Sequence, residues 1–316
     1  MFDRDARRVR ETIEPERQTI GHSAGNRLKR VEPSARVSFK NILVPTDFSE
    51  CSYAALSYAL SIAQKCGSKL FVAHVISCPL PAPRGSRDIR LERAEKDAQR
   101  AMGEFLVQMH GTPHEVLVRR GDVWSTLSEL IEAHEIDLAV IGTHGHSGLA
   151  KVFLGSVAEQ IFRQAPCPVL TVGPNVSTDP KSIAVIHRIL YGTDFTPESL
   201  AAAPYAISMA EENQAQLSLV HVIESQKENS SADLFAHRLY ALVPYRAGLL
   251  CRPTAFIKYG PAAKAILEAE RERGAELIVL GVKRADRFPA ASTHSPWPKA
   301  HRIVAHAHCP VLTIRG

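Results

Sequence analysis

Residues 41–76 read NILVPTDFSECSYAALSYALSIAQKCGSKLFVAHVI, and residues 188–223 read RILYGTDFTPESLAAAPYAISMAEENQAQLSLVHVI. Laid side by side without a gap, 16 of the 36 positions are identical. That similarity marks a duplication, and the rest of the chain repeats in step. The stretch Gly121 to Gly142 runs parallel to Gly260 to Gly281, with IDLAVIG matching AELIVLG. APCPVLTV near the end of the first unit matches AHCPVLTI at the end of the second. The sequence therefore divides into a tail over 1–38, a first unit over 39–173, a linker over 174–187 and a second unit over 188–316.

Within the first unit, short apolar runs alternate with amphipathic stretches. NILVP, KLFVAHVI, HEVLVRR, DLAVIG and CPVLTV read as strands. Between them, the spacing predicts helices over Ser49 to Cys66, Asp88 to His110, Asp122 to His134 and Ser156 to Arg163, with Ser49 as an N-cap. Apolar strands separated by amphipathic helices mean a parallel sheet covered on both faces. The expected fold class is α/β, two tandem five-stranded Rossmann-like domains. Ligands in such sheets bind at the carboxyl ends of the strands, where strand order reverses.

Composition narrows the function. The chain has 316 residues, 45% hydrophobic and 22% charged, as in an ordinary soluble protein. No apolar run approaches membrane-spanning length, so no membrane partner is expected. The net charge of +5 lies mostly in residues 1–40, where ten Lys/Arg face six Asp/Glu. The rest is nearly neutral, so no nucleic-acid partner is expected. The tail itself reads as a disordered, solvated leader or as a weak anion- or membrane-surface arm. The six cysteines form no C-x-x-C pair and fit reduced, buried thiols of a cytoplasmic protein.

Chemistry concentrates in IGTHGHSGLAKVFLGS, residues 141–156, which leaves the fourth strand and ends at a helix start. Unpaired amides at a helix N-terminus carry partial positive charge, and glycines let backbone approach an anion closely. With the Ser156 hydroxyl added, the stretch suits a phosphate; tight turning is the alternative use of its glycines. It is neither a Walker A loop nor a G-x-G-x-x-G loop. Asp47, just past the first strand, can accept from a ribose hydroxyl, approach a Mg²⁺ shell or cap the first helix. Lys151 either adds charge at the phosphates or is a solvated loop lysine. His74 and His221 end equivalent strands and are expected to be structural. No zinc spacing appears among the fourteen histidines, so no metal site of protein ligands is expected.

The spacing Gly142, Gly145, then nine residues to Gly155 and Ser156, resembles the nucleotide-binding signature of ATP-binding universal stress proteins. VPTDFS, HVI and CPVLTV support the resemblance, which spans both units and leaves the tail aside. It implies a five-stranded parallel α/β fold with ATP as the cofactor, with Mg²⁺ as a candidate companion. Gly142, Gly145, Gly155, Ser156 and the backbone of Val157 would hold phosphates and ribose. Asp47 would lie at the adenine and ribose side, Pro45 and Thr46 would shape the turn, and the backbone of Val75 would meet the adenine edge. The glycines and Ser156 are thus expected to serve a ligand rather than the fold.

The second unit departs from this pattern. Gly281 survives, but Arg284 stands at the second glycine, and Trp297 and Pro298 stand where Gly155 and Ser156 do. Asp194 and Val222 remain. The second unit is expected not to bind ATP in the same manner and to serve as an intrachain pseudo-dimer partner, joined through CPVLTV and CPVLTI, or to bind something else through Arg284, His294 and Trp297. Whether two chains then form a homo-oligomer stays open. The expected role is a cytoplasmic, stress-linked sensor or binding module. A nucleotide-hydrolysing or nucleotidyl-transferring enzyme is the alternative from another class, and a nucleotide-free interaction protein is a third. PTDFSE lacks the S-G-G-x-D-S or H-x-G-H loop of such enzymes, so ATP hydrolysis or autophosphorylation is expected to be slow at most.

Overall fold

A computed structural model describes residues 37–77, 86–109, 111–143, 154–177, 186–224, 232–283 and 298–316. The tail, Gly145, His144, His146, Lys151, Arg284, His294 and Trp297 lie outside the described residues. The first half runs β1 (Asn41–Pro45), α1 (Glu50–Cys66), β2 (Lys69–Ile76), α2 (Ser86–Leu106), β3 (His114–Arg120), α3 (Val123–Ala133), β4 (Leu138–Gly142), α4 (Ser156–Gln164) and β5 (Val169–Val172). The second runs β6 (Arg188–Gly192), α5 (Pro197–Leu200), α6 (Ala203–Asn213), β7 (Gln216–Ile223), α7 (Ala232–Ala241), α8 (Tyr245–Cys251), β8 (Thr254–Tyr259), α9 (Ala262–Arg273), β9 (Leu277–Val282), α10 (Pro298–His306) and β10 (Val311–Arg315).

All ten strands form one sheet in the order β3-β2-β1-β4-β5-β10-β9-β6-β7-β8. Each half is parallel, and the halves meet where β5 and β10 pair antiparallel, Leu170 opposite Leu312. The pairing of CPVLTV with CPVLTI follows from burial. These strands are apolar throughout, and each covers the unpaired edge of the other. Adjacent residues of β1 face opposite sides. Ile42 and Val44 belong to the buried cluster that includes α1, α2 and α6, whereas Leu43 belongs to the one that includes α3, α4 and α9. Helices therefore cover both faces, as the strand composition predicts.

Local signals explain the helix ends. The Ser49 hydroxyl accepts from the Ser52 amide to start α1, and Gly67, at φ 68°, closes it. Asp122 caps α3 through the Ser125 amide. The equivalent of α1 in the second half is split into α5 and α6, with Pro204 in the first turn of α6. A proline lacks the amide needed inside a helix, so the chain restarts there. The junction has further ties. The Arg315 guanidinium donates to the carbonyls of Phe162 and Arg163 at the end of α4. On the opposite face, Lys65 of α1 donates to Asn213, the last residue of α6, at 2.5 Å.

Candidate functional site

Strand order reverses between β1 and β4, which pair at Ile42–Leu138 and Leu43–Ala139. The chain leaves both strands on the same sheet edge, so Pro45, Thr46, Asp47 and Gly142 converge there. The turn after β1 is tightly held. The Thr46 amide donates to Ala73 at 2.8 Å, and the Thr46 hydroxyl accepts from the Phe48 amide at 2.9 Å. Asp47 Oδ1 accepts from the Ser49 amide at 3.0 Å and from the Ser52 hydroxyl at 2.7 Å. Asp47 therefore braces the capping residue of α1, and its carboxylate is fixed at the carboxyl edge of the sheet. His74 Nδ1 meets the Thr46 carbonyl at 2.8 Å, and its ring packs on Phe48 at 4.6 Å between centroids. His74 is structural, as its strand-end position suggests. Val75 follows it on β2 and is half-buried.

The glycines of the motif differ in their reasons. A Cβ on Gly142 would lie 2.6 Å from the Cys51 carbonyl oxygen in the first turn of α1. Gly281 is in the same situation against Glu198 and Ser199. Both glycines are required because the first helix of each half passes directly over the end of β4 or of β9. This corrects the expectation that the glycines serve a ligand alone: for Gly142, the fold is a sufficient reason. Gly155 is different. Its φ of −56° suits any residue, and among the described residues a Cβ there would meet the Thr143 carbonyl oxygen alone, at 3.4 Å. Neither the backbone conformation nor the packing of the described residues demands glycine at this position.

Gly155 is the N-cap of α4, and no side chain caps the helix there. Its own amide donates to the Thr143 carbonyl at 2.8 Å, which ties the start of α4 to the end of β4. The first intrahelical bond runs from the Glu159 amide to the Gly155 carbonyl, so the amides of Ser156, Val157 and Ala158 precede it and make the helix N-terminus electropositive. The structure thus brings Pro45, Thr46, Asp47 and Gly142 to one sheet edge and fastens the Gly155-Ser156-Val157 helix start beside it; Gly145 lies outside the described residues.

The second half repeats the turn and changes the rest. The Thr193 hydroxyl accepts from the Phe195 amide at 3.0 Å, and His221 Nδ1 meets the Thr193 carbonyl at 2.8 Å. Phe48 and Phe195 both sit in the left-handed region, at φ 63° and 61°. Asp194 accepts from the Thr196 amide and hydroxyl at 3.1 and 2.6 Å. Burial pushes its carboxyl up, but these bonds and one from Ser199 outweigh burial and hold it below the ordinary value. At the start of α10, Lys299 is ion-paired with Glu224, whose other oxygen accepts from the Ala262 amide at 3.0 Å. The Lys299 hydrogen bond first, then the Ala262 amide, hold the Glu224 carboxyl low. Sequence reasoning passed over Glu198 and Glu224. The signal was available in the ungapped repeat, where they replace Cys51 and Ser77.

A sheet with this order and two such edges is the architecture of a tandem nucleotide-binding-type α/β protein. The family model described as "Universal stress protein family" matches residues 38–173 and again 186–315. The chain belongs to the universal stress protein family, in tandem form. A universal stress protein of Methanocaldococcus jannaschii is 31% identical over 140 residues, covering 42% of this chain and 82% of its own. A universal stress protein of Mycobacterium tuberculosis is 25% identical over 268 residues, covering 76% of this chain and 86% of its own. The crystal structure of a universal stress protein from Archaeoglobus fulgidus superposes with a TM-score of 0.68 at 20% identity, over 87% of this chain and 98% of that one. That likeness bears on the fold.

Proposed function

We propose that the first half binds ATP at the carboxyl ends of β1 and β4 and that the protein works in the cytoplasm as a stress-linked binding module. In this reading, the phosphates lie on the amides of Ser156 and Val157, with Gly142, Gly145 and Gly155 keeping the backbone close. Asp47 takes the ribose side or approaches the shell of an accompanying Mg²⁺, and the Val75 backbone meets the adenine edge. The observation that carries the proposal is Gly155. Neither its conformation nor its packing among the described residues requires glycine, yet it opens a helix whose N-terminus has no side-chain cap among them. Close approach of an anion supplies the missing reason. Cys66, Cys167, Cys251 and Cys309 are free thiols, which suits a reducing compartment.

The replacement Gly155→Trp with Ser156→Pro installs the second half's residues in the first. Proline at the first helical position is tolerated, so α4 is expected to persist. Equilibrium dialysis with ATP should show about one nucleotide bound by the native chain and none by the variant. Equal binding by both would remove the assignment.

A further inference from the structure

The carboxyl edge of the second half encloses a cavity of about 510 Å³. That volume suits a small organic ligand. Val220, Val222, Ile266, Leu280 and Ile303 form apolar walls, and Asp194 stands at the end of β6. Asp194 and Val222 correspond to Asp47 and Val75, the residues assigned above to the nucleoside side of the first cleft. The phosphate side has been rebuilt. Pro298 opens the last helix in place of Ser156, so one N-terminal amide is missing. Glu198 and Glu224 line the cavity where the first half has Cys51 and Ser77. Glu224 bridges two helix starts. One oxygen caps α9 at the Ala262 amide, and the other pairs with Lys299.

A carboxylate therefore occupies the electropositive start of α9 and engages the first turn of α10 through the Lys299 side chain, and a second carboxylate, Glu198, also lines the cavity. An incoming polyphosphate would meet the carboxylates of Asp194, Glu198 and Glu224 against the two lining lysines, Lys283 and Lys299, and would have to displace Glu224 from both of its partners. A nucleoside meets no such opposition, because its hydroxyls donate to Asp194 and its base lies between aliphatic walls. We propose that the second cleft is a separate site for a phosphate-free nucleoside, with the Glu224–Lys299 pair filling the place of the phosphates. The inference rests on the reading of Asp47 and Val75 in the first half.

The test uses the full chain with adenosine as probe, titrated in the presence of saturating ATP. About one equivalent of adenosine should bind beside ATP. Ala300→Trp, which directs an indole into the cavity from a half-exposed helix position, should weaken adenosine at least tenfold and leave the ATP stoichiometry unchanged. Glu224→Ser restores the first-half residue and should raise the affinity of the second cleft for AMP several-fold, a readout independent of packing around residue 300. Complete displacement of adenosine by ATP, two ATP per chain, no adenosine binding, or indifference to Ala300→Trp would each overturn the proposal. Failure of the first-half site would look different: no ATP would bind, while adenosine binding would persist and remain sensitive to Ala300→Trp.

Discussion

A Cβ on Gly142 would lie 2.6 Å from the Cys51 carbonyl oxygen, so Gly142→Ala must push the start of α1 away from β4. The expected loss is about 1–3 kcal/mol, the usual range for overpacking, read from urea unfolding. Gly155→Ala introduces a methyl at an ordinary φ, 3.4 Å from the Thr143 carbonyl oxygen, and should change stability by less than about 1 kcal/mol. Its effect should fall on ATP affinity instead, by about tenfold. A pair of variants with these effects exchanged would refute the separation of fold and ligand roles. At Asp194, the native carboxyl is held below its ordinary value, so the folded state releases this proton more readily than the unfolded chain does. Its contribution to stability is present above about pH 4 and is lost as pH falls through the lower native value. Asp194→Asn should flatten that acid limb of the stability curve. An unchanged slope between pH 5 and 2, on the order of that window, would show that the carboxylate is not stabilised in the fold.

At the level of elements, both halves use the same clamp. Asp137, just before β4, accepts from the Lys40 amide at 2.7 Å and the Asn41 amide at 3.1 Å, holding the start of β1. Glu276, just before β9, accepts from the His187 and Arg188 amides at 2.5 and 3.2 Å. Asp137→Ala leaves two strand-start amides without their charged acceptor and should cost about 1–3 kcal/mol. A urea midpoint equal to that of the native chain would count against the clamp. The elements themselves were largely legible. NILVP, KLFVAHVI and HEVLVRR announce buried strands by composition, and Ser49 announces a cap by type and place. The break between α5 and α6 was not read, although Pro204 stood in the quoted repeat; homology to the unbroken α1 masked it. At the site, the motif pointed to the right sheet edge but merged two reasons for glycine. Only the close passage of α1 over β4, a tertiary contact, separates Gly142 from Gly155. Glu198 and Glu224 also escaped notice, because a carboxylate has meaning there only once the cavity is known.

The whole molecule is one ten-stranded sheet built from two copies of a fold, joined back to back by β5 and β10. The duplication makes the second half an internal control for the first. What both halves share, the T-D-F turn, the strand-end histidine and the glycine under the first helix, belongs to the fold. What only the first half has, Gly155 and Ser156 at the start of α4, is what the proposed function assigns to the ligand. No described side-chain pair is arranged as nucleophile and base around that helix start, and ATP turnover by the purified chain should stay far below the roughly 1 s⁻¹ of slow ordinary enzymes. Multiple turnovers per second, measured as phosphate release, would return the protein to the enzymes. The central claim is that one copy of the fold grips ATP and the other does not. A crystal structure grown with ATP tests it directly. Nucleotide density should lie beside Asp47 and Gly142, with phosphates on the amides of Ser156 and Val157, and no triphosphate should lie beside Asp194. A triphosphate in the second cleft, or an empty first one, would contradict the account.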